Sequence, residues 1–91
     1  MTDEIKLTQQ QGKGQRAEEL LRNELLQETF KTLEADYTNS WKITPVNDTL
    51  ARERLWTAVN ILIEMQNHIK KVARDGKLAS KDLANIKYLK P

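Results

Sequence analysis

The chain has 91 residues, 38% of them hydrophobic and 31% charged, with three glycines, two prolines, no cysteine and a net charge of +2. That length makes one small domain with a modest core, so oligomerisation or a larger partner is expected. The missing cysteine excludes disulfides and thiolate metal sites, and no apolar run approaches the ~20 residues that a membrane-crossing helix needs.

The charge is unevenly spread. Residues 1–40 carry five basic and eight acidic side chains, 41–69 three of each, and 70–91 seven basic and two acidic. An acidic first half and a basic end can pair within a chain or between chains.

Residues 1–15 read as a flexible polar tail. The run Gln9 to Gln15, with Gly12 and Gly14 inside it, brings no apolar anchor. Gly12-Lys13-Gly14 is not a phosphate loop, because the required spacing and the preceding strand are both missing. Met1 to Gln15 also lacks the apolar core of a signal peptide, so a cytoplasmic protein is expected. Residues 16–91 are expected to form a single helical domain.

A helix should start near Gln15, with Glu18 and Glu19 in its first turn and Glu18 paired with Arg22. Ala17, Leu21 and Leu25 form one short stripe. Leu26, Phe30, Leu33, Tyr37 and Trp41 form a second, rotated far from the first. Either the helix is buried on two faces or it breaks between them. Asn23 is a good N-cap, so a break or sharp bend there is expected, with a new helix from Glu24 to about Lys42. Pro45 then disfavours helical geometry at Thr44, and Asp48, or failing that Asn47, caps the next helix. So short a connection makes the two helices antiparallel neighbours.

The central helix is expected over about Thr49 to Arg74. Ala51, Leu55, Ala58, Leu62, Met65, Ile69 and Val72 recur at alternating spacings of four and three, a coiled-coil-like seam. Glu53, Asn60, Asn67 and Arg74 lie opposite. Gly76 suits the helix stop. A shorter helix should follow, capped by Ser80, stapled by Ala79 and Ala84, and buried through Leu83 and Ile86, with Lys90 and Pro91 frayed. The expected fold is all-α: a long antiparallel helical hairpin, bent or broken near Asn23, plus a short C-terminal helix.

No residue set spells out a catalytic chemistry. Glu64 and His68 lie four apart, but a helical ligand pair needs a further protein ligand and the chain has no other histidine. Glu28, Glu34 and Asp36 have polar neighbours and read as a solvated face rather than an acid–base pair. No nucleophile–base constellation is present. A non-enzyme with no metal and no cofactor is expected.

Two surfaces invite partners. Trp56, Val59 and Ile63 sit at i, i+3 and i+7 beside the seam, and one partner helix cannot cover both. Either the C-terminal helix folds back over them or a neighbouring copy does; the second is the expected self-association surface, with Trp56 its anchor. The basic end offers Lys70, Lys71, Arg74, Lys77 and Lys81 as possible nucleic-acid contacts. With only Tyr88 to stack on bases, a solvated lysine-rich helix end is the simpler reading.

Three stretches together resemble a group of small all-helical proteins of tailed bacteriophages and prophages. They are Ala17-Glu18-Glu19-Leu20-Leu21-Arg22-Asn23-Glu24-Leu25-Leu26-Gln27-Glu28-Thr29-Phe30, then Trp41 with Thr44-Pro45, then Ala51-Arg52-Glu53-Arg54-Leu55-Trp56 running on to Asp75-Gly76-Lys77-Leu78. The resemblance covers about residues 16–80 and rests on packing motifs. It implies a phage origin and a non-enzymatic role, and brings no site residues with it. The expected function is a self-associating assembly or virion-structural protein that binds other phage proteins, in the virion or the host cytoplasm and not in a membrane. The alternatives are a nucleic-acid-binding adaptor in DNA packaging, or an inhibitor of a host protein.

Overall fold

The computed structural model describes residues 2–89, with the side chains of Thr2, Tyr88 and Leu89 left aside. The described chain is all-helical: α1 (Thr2–Arg22), α2 (Glu24–Ile43) and α3 (Thr49–Leu89). Its contacts group into two compact units. The first joins Met1–Arg22 to His68–Pro91, and the second is Asn23–Asn67.

In the second unit, local sequence dictates the helix ends. Asn23 is extended (φ −73°, ψ 112°), and its side chain accepts a hydrogen bond from the Leu26 N–H at 2.9 Å. It ends α1 and caps α2 in one residue. Thr44, held extended before Pro45, closes α2, and its hydroxyl donates to the Ser40 carbonyl at 2.6 Å. The Asp48 carboxylate accepts from the Ala51 N–H at 3.2 Å and caps α3. Phe30 of α2 and Leu62 of α3 are buried. Leu26, Leu33 and Tyr37 from the second stripe, and Leu55 and Ala58 from the seam, are half-buried around them. Gln66 donates to the Glu34 carboxylate at 3.2 Å, bridging α2 and α3. The seam is looser than its spacing implies: Met65, expected inside it, is 50% exposed.

The first unit departs from the sequence reading. Residues 2–15, expected as a tail, are helix, and α1 starts at Thr2 rather than near Gln15. Asp3 and Glu4 sit in its first turn, where the helix dipole favours them. What holds α1 is close backbone approach. Gly14 and Gly76 are both buried, and a Cβ built on either would lie 2.5 Å from the other's Cα. Ala17, Ala73 and Ala79 are the buried apolar residues beside that crossing. The Gln11 amide donates to the Ser80 hydroxyl at 2.9 Å, and Lys77 pairs with Glu18 at 3.6 Å.

The same crossing overturns the expected stop at Gly76. Gly76 lies within α3, which runs for 41 residues without a break, so the described residues contain no separate C-terminal helix. Ser80 is not an N-cap: its hydroxyl donates to the Gly76 carbonyl one turn back, at 3.1 Å. The Ala79–Ala84 staple therefore has no helix start to fix. The expected fraying of Lys90 and Pro91 lies outside the described residues.

Candidate functional site

The apolar surface that α3 presents in the second unit begins at the α2–α3 connection. Arg52, one turn into α3, reaches back to the end of α2. Its guanidinium stacks 4.0 Å from the centre of the Trp41 ring. Its Nη1 donates to the Trp41 and Thr44 carbonyls at 3.2 and 2.9 Å. Trp41 lies in the last turn of α2 and Thr44 is its C-cap, where carbonyls run short of helical N–H partners; the Trp41 carbonyl also accepts from the Thr44 N–H at 3.3 Å. A planar, forked cation suits both tasks, stacking and capping, in a way that lysine does not.

With Trp41 held there, Thr38, Trp41, Leu55, Trp56 and Val59 line an open groove of about 290 Å³. Of the expected self-association residues, the structure brings Trp56 and Val59 together in this groove. Trp56 is 64% exposed and Val59 half-buried. Ile63, a further turn along α3, is 39% exposed and does not line the groove. The alternative cover, a C-terminal helix folded back through Leu83 and Ile86, is removed, because both residues are part of α3 itself.

By sequence alone Trp41 belongs to the second apolar stripe of α2, and Arg52 has no assigned role. In the folded chain Trp41 is exposed enough to form one wall of the groove. The available signal was the pair itself: an aromatic and an arginine flanking a proline-containing connection.

The basic row is placed in the first unit. Lys70, Lys71, Arg74, Lys77 and Lys81 are all exposed. Lys71 pairs with Asp75 at 3.4 Å and Lys77 with Glu18 at 3.6 Å. In both pairs the lysine is well exposed and the carboxylate partly so, and such pairs contribute little to stability. Glu64 and His68 are exposed, and no group of three or more His, Cys, Asp or Glu side chains lies together among the described residues. No helix among the described residues is long and apolar enough to cross a membrane.

No family model, curated protein or solved structure matches the chain. The functional reading therefore rests on the surfaces themselves.

Proposed function

We propose that this chain is a small, non-enzymatic assembly protein that associates with itself through the Trp56 flank of α3, each chain pairing its helices as an antiparallel hairpin. The observation that carries the reading is Trp56, 64% exposed on a groove whose other wall is Trp41. Large aromatics at the centre of an apolar surface are the residues that dominate interface energetics. Arg52 supports it by fixing the Trp41 ring in advance, so less ordering is lost on docking.

The test is sedimentation of the wild-type chain and of Trp56→Glu over a range of concentrations. The wild type should sediment as an oligomer and the variant at a distinctly lower mass, because a buried, unpaired carboxylate is not tolerated in such a contact. A wild type that stays monomeric at high concentration overturns the reading, as does a variant that keeps the wild-type mass.

The resemblance to small phage and prophage proteins supplies the setting of the proposal: partners among other phage structural or assembly proteins, in the virion or the host cytoplasm. Mass spectrometry of purified particles tests that setting. The exposed cations of α3 favour one second reading, an adaptor that contacts nucleic acid.

A further inference from the structure

The two units carry opposite charge. Residues of the first hold eleven basic and six acidic side chains, a balance of +5, and those of the second hold four and seven, a balance of −3. Each unit also has an apolar feature framed by its own sign of charge. In the first, Ala17, Leu20, Ile69 and Val72 floor a pocket of about 230 Å³. Lys13, Arg16 and His68 complete its lining, and all three are exposed at its rim. In the second, Leu25 near the start of α2 is 71% exposed. It lines a shallow depression with Glu28 and Leu33, and Glu24, exposed, precedes it.

We infer that the basic-rimmed pocket of one chain receives the acid-flanked Leu25 surface of a second copy of the same chain. Leu25 supplies the apolar side chain, and Glu24 and Glu28 meet Lys13 and Arg16. Complementary charge of this kind steers encounter and fixes register. Because the pocket and the Leu25 surface are different surfaces, the contact is heterologous. It is also separate from the Trp56 surface: no residue is shared between the two linings. The inference rests on the reading of the chain as self-associating and adds a second, salt-sensitive contact to it.

Charge exchange in the full chain tests it. Two variants are made, Lys13→Glu with Arg16→Glu, and Glu24→Lys with Glu28→Lys, each also in a Trp56→Glu background. Circular dichroism reports whether each is folded. All four changed charges are exposed. In sedimentation at low salt, each double variant should self-associate at least tenfold more weakly than its parent. An equimolar mixture of the two should recover association, because the reversed rim of one now fits the reversed flank of the other. Raising the salt should weaken the parent and the mixture alike.

A mixture that stays as dissociated as its components overturns the inference, and so does a rim variant that associates like its parent. Duplex DNA binding that falls in the rim variant while its mass is unchanged also overturns it, assigning the rim to nucleic acid instead. If Glu24→Lys with Glu28→Lys unfolds, the rim variant in both backgrounds still decides. Failure of the Trp56 surface is read separately: Trp56→Glu then keeps the wild-type mass while the rim variant loses it.

Discussion

Among the described residues, Leu62 is the only large aliphatic side chain that is buried, at 9% exposure, and Phe30 is the only other buried residue of its unit. The other seam residues of that unit are half-buried or, like Met65, half exposed. With so few buried side chains, removing one takes a large share of the core. Leu62→Ala should therefore destabilise the chain by ~2–5 kcal/mol, the usual cost of truncating a buried leucine. The expected signature is a lower denaturant midpoint with an unchanged slope. A midpoint that barely moves would mean that the seam is not the core. Met65→Ala is the internal comparison: on the same seam but half exposed, it should cost distinctly less.

At the scale of the element, α1 and the second half of α3 meet through glycine and alanine, and this reverses the normal effect of a substitution. In an exposed helix interior, Gly→Ala stabilises by ~0.5–1 kcal/mol. Gly12, though half-buried, has room for the same gain, with nothing within 4 Å of an added Cβ. Gly14 and Gly76 do not, since a Cβ on either would lie 2.5 Å from the other's backbone. Thermal unfolding should show Gly12→Ala raising the midpoint, and Gly14→Ala and Gly76→Ala each lowering it, through the ~1–3 kcal/mol destabilisation typical of overpacking. Equal effects at all three positions would refute the crossing. The same chemistry explains what was legible in the sequence. Asn23, Thr44 and Asp48 act on neighbours within four residues, so the ends of α2 and the start of α3 could be read locally. Gly14 and Gly76 meet from positions 62 apart (76 − 14) and carry no hydropathy signal, so by sequence α1 reads as a tail and Gly76 as a stop. Trp56 stood out because the seam left it uncovered; the basic-rimmed pocket did not, because its walls come from residues 13–20 and 68–72.

Across the whole chain, the positive balance of the first unit makes nucleic-acid binding the property that most needs a quantitative bound. Phosphate contacts need only cations, and Lys70, Lys71, Arg74, Lys77 and Lys81 are exposed to provide them. Selective or salt-resistant binding needs more: base-edge donors in a groove, or aromatic faces on which bases stack. The chain's tryptophans and phenylalanine belong to the other unit, and Lys71 and Lys77 already have carboxylates within reach. Binding to duplex DNA should therefore be weak at low salt and lost near physiological salt. With about four phosphate contacts, affinity should fall roughly a hundredfold between 50 and 200 mM salt. Filter binding or fluorescence anisotropy over that range measures the slope directly. Charge reversal at Lys70, Lys71 and Arg74 should abolish what binding there is, without loss of helicity, since all three side chains are exposed. Tight binding that survives the higher salt would show that contacts beyond simple charge are present. It would place the nucleic-acid reading ahead of self-association, and the Trp56→Glu variant, with its charge change in the other unit, should then bind DNA like the wild type.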